Sequence, residues 1–355
     1  MNKLIYNNIK KWKKLLTPQI VSLLTTIHEF KGRQSLFIEA NSDKLVDLLE
    51  IAKIQSIEYS NKIEGIYTSN DRLRQIILDK TMPKTRNEKE IAGYRDVLNT
   101  IHTSYEYIPI ISSMLLQLHR DLYKFSGDGY GGKYKSSDNI IAEINKNGEK
   151  SIRFKYVPAW ETAESINNLC NSYNDIIESK DVDPLLLIPM FILDFLCIHP
   201  FNDGNGRMSR LLMLLLLYHS GYIVGRYISL EKIIENSKES YYEFLKESSY
   251  GWHENENNYE PFVKYTLGII VSAYREFESR VILVSKINVS KPKRIAEIIK
   301  GHIGKITKSE IIKLCPDISQ TTIQRTLNNL LENSKIIKIG GGRYTSYIWN
   351  WEEEK

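Results

Sequence analysis

Cysteine is scarce in this sequence. Cys170, Cys197 and Cys315 are its three cysteines in 355 residues, scattered and without CxxC spacing. Cys170 and Cys197 sit in apolar helical contexts, so they are expected to be small buried hydrophobes rather than metal ligands or disulfide partners. Long hydrophobic runs are lacking as well. "PLLLIPMFILDFLCI" and "LLMLLLLYHSGYIV" are the most apolar stretches, broken by Pro189, Asp194 and His199, and both fall short of the roughly 20 residues that a membrane span needs. The opening "MNKLIYNNIKKWKKLL" interleaves lysine with apolar residues at helical spacing. It has neither the continuous apolar core nor the cleavage site of a signal peptide. Internal repeats and low-complexity tracts are missing too. These absences exclude a disulfide scaffold and a membrane-spanning chain, and they predict a cytoplasmic protein.

What is present is a globular composition, 42% hydrophobic and 26% charged, at a length that suits two or three domains. The net charge of +5 is unevenly distributed. Residues 291–350 hold 11 Lys and Arg against four Asp and Glu, while the first 290 residues are balanced. A change in charge at that point marks a domain boundary.

Most of the first 280 residues reads as helix. "DKLVDLLEIAKIQSIEYS", "ISSMLLQLHRDLYKF" and "TAESINNLCNSYNDIIES" place apolar residues at i, i+3, i+4 and i+7. One interruption stands out: "NIIAEINKNGEKSIRFKYV" has β-branched, partly alternating flanks around Asn147-Gly148, a hairpin signal. Two strands alone are marginally stable, so this hairpin must lean on the helices or receive a partner strand. After the polar segment "SKINVSKPKR", three short helices are expected, with Thr307 and Ser319 as N-caps. Two strands around Gly340-Gly341-Gly342 follow. Three helices and a hairpin of this size predict a winged helix-turn-helix, with 319–333 as its recognition helix. Gln324 and Arg325 on that helix, and Lys335, Lys338 and Arg343 around the wing, could face phosphates and bases of DNA. Such modules also serve in protein interaction and dimerisation, so a homo-oligomer is the competing expectation.

Between the two apolar runs lies "IHPFNDGNGRMSRLL". Pro200 disfavours helical geometry at His199, so the first helix should end there. Gly204 and Gly206 let the backbone approach a ligand closely. The next helix starts near Asn205, and its first amides and dipole point into the loop as an anion site. Arg207 and Arg210 share a face near that end, where the dipole disfavours cations unless an anion intervenes; polyphosphate is the natural candidate. Asp203 would supply an oxygen ligand for Mg²⁺ bridging phosphates, and His199 could accept a proton from an attacking hydroxyl. Any one of these features alone is an ordinary helix end or turn. Their concentration in one loop between buried helices is not ordinary.

"HPFNDGNGRMSR" resembles the Fic signature, His-Pro-Phe-x-Asp/Glu-Gly-Asn-Gly-Arg-x-x-Arg, at every specified position. The resemblance covers roughly residues 85–285. It implies a mainly α Fic core with a β-hairpin flap, and an enzyme that transfers AMP from ATP to a Tyr, Thr or Ser hydroxyl of a protein, itself included, with pyrophosphate leaving. By the same resemblance His199 is the general base, Phe201 anchors the loop, and Asp203 holds Mg²⁺. Gly204, Asn205 and Gly206 line the anion hole, Arg207 grips the phosphates, and Arg210 meets the γ-phosphate. The hairpin around Asn147-Gly148 resembles the flap that pairs with a target backbone, and either Ile140 or Ile141 would clamp the modified side chain. Many relatives carry arginine in a Gly-x-x-Arg stretch before the flap. This chain has "GKYK", ending in Lys135, which lacks bidentate geometry and is left out of the expected site.

Far upstream, "SNKIEGI" ends a predicted helix. Ser60 and Glu64 are four residues apart and face the same way, and Gly65 suits the position after a helix end. This stretch resembles the Ser/Thr-x-x-x-Glu-Gly/Asn inhibitory motif of Fic proteins with an N-terminal inhibitory helix. It implies that Glu64 competes for Arg210. The expected organisation is 1–84 as the inhibitory helical region, 85–285 as the Fic core and 286–355 as the winged helix. Rival expectations are transfer of another phosphate-linked group, removal of AMP, and a DNA-binding regulator whose Fic domain only senses nucleotide. The Ile-, Lys- and Asn-rich composition leans towards a bacterial source.

Overall fold

The computed structural model describes residues 12–41, 45–127, 129, 131–144, 150–285, 291–302, 304–316, 318–342 and 345–350. Its contacts divide the chain into Met1–Glu278 and Ser279–Lys355, and each unit is mainly helical as the sequence predicts.

In the first unit the helices are α1 (Pro18–Asn41), α2 (Val46–Ile63), α3 (Asn70–Ile77), α4 (Arg86–Ser104) and α5 (Ser112–Leu122). After the strands β1 (Ile140–Ile144) and β2 (Lys150–Lys155) come α6 (Thr162–Ser179), α7 (Pro184–Ile198), α8 (Asn205–His219), α9 (Leu230–Asn236), α10 (Lys238–Ser249) and α11 (Glu260–Ser285), the last of which runs past the boundary at Glu278.

The core is built on α7 and α8, which pack against each other. Every residue of α7 from Leu185 to Ile198 is buried, so the helix is apolar on all sides as a central element must be. Its start is set by Asp183, whose carboxylate accepts from the Leu185 amide at 2.9 Å, and by Pro184 in the first turn, where a missing N–H costs nothing. Asp194 interrupts the apolar run and is fully buried. Its carboxylate accepts from Trp252 Nε1 at 2.7 Å and from the Tyr259 hydroxyl at 2.6 Å, which ties α7 to the segment entering α11. Around this pair, α6 and α10 pack on α7, and α4 packs on α8. The start of α4 is fixed by a capping box between Thr85 and Glu88. α2 packs against α4 and α9, which brings its C-terminal end beside the start of α8.

β1 and β2 pair antiparallel, with Ile140 opposite Lys155, Ile141 opposite Phe154, and a register shift between Ile141 and Ala142. The predicted turn at Asn147-Gly148 lies outside the described residues. As two isolated strands require, the hairpin leans on the helical body. Phe154 stacks on His253 with ring centres 5.4 Å apart, and the His253 ring hydrogen-bonds the Lys155 carbonyl.

The second unit contains α12 (Lys291–Gly301), β3 (Ile306–Thr307), α13 (Lys308–Leu314), α14 (Gln320–Glu332), β4 (Ile336–Ile339) and β5 (Ser346–Trp349). Its antiparallel sheet has the order β3-β5-β4. Ile295, Ile306, Ile311, Ile323, Leu327 and Tyr347 share its core. Thr307 and Ser319 cap α13 and α14, accepting from Glu310 N and Thr322 N, as their sequence positions predict. Cys170, Cys197 and Cys315 are all buried, and for Cys170 and Cys197 this matches their reading as small hydrophobes. No helix among the described residues is long and apolar enough to cross a membrane.

Candidate active site

The loop from His199 to Gly204 joins the two central helices, and its shape follows from a few side chains. His199 ends α7 in the left-handed conformation, φ 53° and ψ 64°, with its N–H donating to the Phe195 carbonyl at 2.9 Å. A non-glycine residue there carries a cost of about 1–3 kcal/mol and persists only where its surroundings over-determine it. Phe201 plunges into the core and is fully buried, stacked on His119 with centroids 3.7 Å apart. Asn205 closes the loop on itself: its side chain accepts from Phe201 N at 3.0 Å and donates to Phe201 O at 2.8 Å. Gly204, at φ 82°, precedes α8, and a side chain there would crowd Tyr123.

His119 on α5 is a support that sequence reasoning missed. Gly132 N donates to its Nδ1 at 3.1 Å, so Nε2 carries the proton and donates to the Asp203 carbonyl at 3.1 Å. Burial lowers its pKa to about 4, which keeps that tautomer neutral. Nothing in the helical stretch "ISSMLLQLHRDLYKF" distinguishes this histidine from a surface one.

A cavity of about 340 Å³ opens at the start of α8 and is lined by His199, Gly206, Arg210 and Glu64, with Phe154, Tyr156, Leu196 and Tyr242 among its apolar walls. Arg210 is 2% exposed. Its Nη2 donates to Glu64 Oε1 at 2.8 Å and to the Ser60 carbonyl at 2.8 Å, and its Nε donates to Ser60 Oγ at 2.9 Å. The two upstream residues singled out by sequence, Ser60 and Glu64, therefore meet the end of the signature across 150 and 146 positions. Burial pulls the guanidinium pKa down, but Glu64, Tyr241 and Tyr94 outweigh it, and the net direction is upward. Glu64 Oε1 lies so close over Gly206 that a Cβ there would collide with it. A carboxylate thus occupies the positive end of α8. Nη1 of Arg210 is buried without a hydrogen-bond partner, a donor still available beside that anion position.

His199 stacks on Tyr156 with centroids 3.9 Å apart, and its Nδ1 is buried without a partner. Its pKa is lowered to about 4, first by burial and then by the neighbouring Lys135 charge. The imidazole is therefore neutral at pH 7, with a lone pair to offer. Lys135, left out by the sequence reading, is 3% exposed and donates through Nζ to the Ile198 carbonyl at 2.9 Å.

Asp203 stands on the other side of the loop with its side chain 54% exposed. One oxygen accepts from Gly204 N at 2.7 Å, and the other lies 3.3 Å from Arg86.

Arg207 departs from expectation. Instead of reaching the cavity, its guanidinium turns inward, 2.7 Å from Glu90 and 2.8 Å from the Tyr123 hydroxyl. Arg207 and Glu90 are nearly fully buried, at 1% and 4%. The i, i+3 spacing that puts Arg207 and Arg210 near the same helix end also turns them about 60° apart, given 3.6 residues per turn. Glu90 on α4 captures one and Glu64 the other. Ile140, half exposed, and Ile141 are in β1 beside the cavity-lining Phe154 of β2, and the register does not choose between them. Replacing Glu90 with Gln leaves the Arg207 charge buried without its counter-ion. Denaturant unfolding is expected to show a loss of about 3 kcal/mol; a loss under about 0.5 kcal/mol, the size of an ordinary surface substitution, would contradict a structural role for the pair.

Comparison with known proteins finds a domain match around this geometry. Residues 109–217 match the Fic/DOC family, a span that contains α7, the loop and most of α8. The chain is 25% identical over 244 residues to the protein adenylyltransferase Fic of Nematostella vectensis, covering 66% of this chain and 51% of that one. It is 26% identical over 250 residues to the protein of the same name from Drosophila mojavensis, covering 68% and 44%. The chain thus spans about half the length of these curated relatives. They are animal proteins, which fits poorly with the bacterial source suggested by composition. Among solved structures, a Fic family protein from Desulfovibrio desulfuricans aligns over 95% of this chain and 97% of its own, with a TM-score of 0.60 at 23% identity. A Fic domain containing signaling protein from Bacteroides thetaiotaomicron aligns over 74% and 97%, with a TM-score of 0.59 at 20% identity. The family match, whose residues 109–217 include the loop and helix start that carry His199 and Arg210, gives this chain a Fic/DOC domain, and the solved structures share its fold.

Proposed function

We propose that the chain is a protein adenylyltransferase held in a resting state by its own Glu64. The observation that carries this reading is the carboxylate of Glu64 seated over Gly206 and paired with the buried Arg210, at the mouth of the cavity lined by His199. A polyphosphate suits the same place for the same reasons: helix amides, a dipole and a guanidinium with an unused donor. The aromatic and aliphatic walls formed by Phe154, Leu196, Tyr242 and Leu245 suit a purine.

In the reaction a Tyr, Thr or Ser hydroxyl of a target, this chain included, attacks the α-phosphorus of ATP. The hydroxyl proton passes to His199, the new P–O bond joins AMP to the protein, and the bond to pyrophosphate breaks. Amides at Gly204, Asn205 and Gly206 receive the phosphate oxygens, and Arg210 receives the γ-phosphate. Phosphate charge beside His199 opposes the burial that lowers its pKa, and so makes it a better base once ATP is bound. Arg207 serves this chemistry indirectly, by holding α8 and its loop to α4.

Asp203 fits Mg²⁺. It is an open carboxylate at the loop, and no group of three or more His, Cys, Asp or Glu among the described residues forms a full metal cage. Mg²⁺ commonly needs only one or two carboxylates beside substrate phosphates and water. When bound it would neutralise phosphate charge, and Arg86 would have to leave Asp203 for Glu90, which it already contacts at 2.8 Å. The flap, with Ile140 or Ile141 at its exposed start, would receive the target backbone as an added strand.

The second unit is read as a winged helix-turn-helix that binds DNA. Supporting this are its excess of basic residues, the sheet that follows α14, and the exposure of Arg325, Lys335 and Lys338. Gln324 is held between Lys308 at 2.7 Å and Asn328 at 3.0 Å. Arg343 lies outside the described residues.

ATP labelled at the α- or the γ-phosphate tests the enzymatic reading. Label from the α-position on protein, removed about 10²–10⁴-fold by His199→Ala, is the expected result. Label from the γ-position would mean phosphate transfer, and no covalent label with intact nucleotide binding would mean a sensor. For the second unit, DNA affinity of the full chain should fall steeply between about 50 and 200 mM salt, as released counterions dictate. No binding even at low salt would favour a protein-interaction module.

A further inference from the structure

Lys135 lies before the flap, outside the signature, yet it is 3% exposed. Two of its donors reach the backbone on either side of His199. Its Nζ donates to the Ile198 carbonyl at 2.9 Å, and its own amide donates to the Pro200 carbonyl at 2.8 Å. The last carbonyls of a helix lack intrahelical donors and carry its negative end, so an ammonium is well received there. Nζ also stands 5.7 Å from the centre of the Tyr156 ring, the same ring that stacks on His199. The residue enclosed by these contacts is the one held in the left-handed conformation at φ 53°. A conformation that is unfavourable by itself needs such external fixing. Lys135 does not line the cavity, so its influence on a bound nucleotide must pass through His199 and Tyr156.

We propose that Lys135 is a positioning residue for the transfer reaction: it fixes the backbone at His199 and, with Tyr156, the plane of the imidazole, so that the base faces the cavity before substrate arrives. This rests on His199 being the base. An arginine, as many relatives of this family carry before the flap, has the charge and reach to serve the same carbonyl. A neutral aliphatic side chain of similar length fills the space without the donor.

The test measures transfer of α-labelled AMP by the full chain in a Glu64→Gly background. Lys135→Met should lower kcat about 10- to 100-fold, the scale on which a misplacement of about 1 Å slows a reaction. KM for Mg·ATP should stay within about twofold, because uniform binding is untouched. Lys135→Arg should return kcat to within about threefold of the parent, a rescue that positioning through a retained cation predicts. A folded Lys135→Met protein with the parent's kcat, or one whose loss lies in KM alone, would overturn the proposal, as would an arginine variant as slow as the methionine one. If Lys135→Met does not fold, Lys135→Leu replaces it, with the same loss of kcat expected and an unchanged kcat overturning the idea. His199→Ala is run beside them. Label that survives there removes the base assignment itself, whereas label lost there but kept in the lysine variants removes only the role of Lys135.

Discussion

A guanidinium buried to 2% exposure needs an anion, and the rest of the site is arranged around which anion Arg210 holds. Desolvating an isolated charge costs several kcal/mol, so the cation must be paired in every populated state. In this structure the partner is Glu64 at 2.8 Å, backed by the Ser60 carbonyl and hydroxyl. On the proposed function, the choice between a carboxylate of the chain and a phosphate of a ligand is an exchange at one position. Glu64 occupies the start of α8, so a phosphate bound there, as proposed, would compete for its amides and dipole as well as for Arg210. A charge-assisted contact worth about 1.5–3 kcal/mol would be enough to make the proposed resting state dominate by roughly ten- to hundredfold.

That exchange requires a rigid frame, and the loop has one. Asn205 brackets Phe201, His119 holds Asp203 from behind, and Lys135 ties the carbonyls flanking His199. Beneath α8, Glu90 and Tyr123 hold Arg207. The Glu64 end of α2 is secured separately. Lys238 donates to the Ile63 carbonyl at 2.6 Å, and Lys62 pairs with Glu235 at 3.0 Å. Glu64 itself is the accessible member of its pair, its side chain 31% exposed against 2% for Arg210. Movement is thus cheapest at the carboxylate, which is where a competing phosphate would have to act.

Much of this was legible in the sequence because it is local. The loop signature, the Pro184 and Pro200 boundaries of α7, the caps at Thr307 and Ser319, and the pairing of the "SNKIEGI" helix end with Arg210 can be read from spacing or from resemblance. The missed supports, His119, Glu90, Lys135 and Tyr156, share a different property. Each acts across the fold, His119 and Glu90 from plain helices and Lys135 and Tyr156 from irregular segments beside the flap, so no spacing exposes it. Lys135 was set aside because it lacks the fork of an arginine, whereas its actual partners are single carbonyls that a point charge satisfies. Arg207 sits away from the cavity for the converse reason. Nearness to Arg210 along the helix says nothing of the buried carboxylate on α4 that captures it.

The central claim is that Glu64 and a nucleotide compete for the same cation, and a double-mutant cycle tests it most directly. Self-labelling with α-labelled ATP is measured for the wild-type chain, Glu64→Gly, Arg210→Ala and the double variant. Glu64→Gly should raise labelling about ten- to hundredfold in the wild-type background and scarcely at all when Arg210 is missing. That non-additivity is expected of groups sharing one interaction. An equal gain in both backgrounds, or no gain in either, would contradict the account.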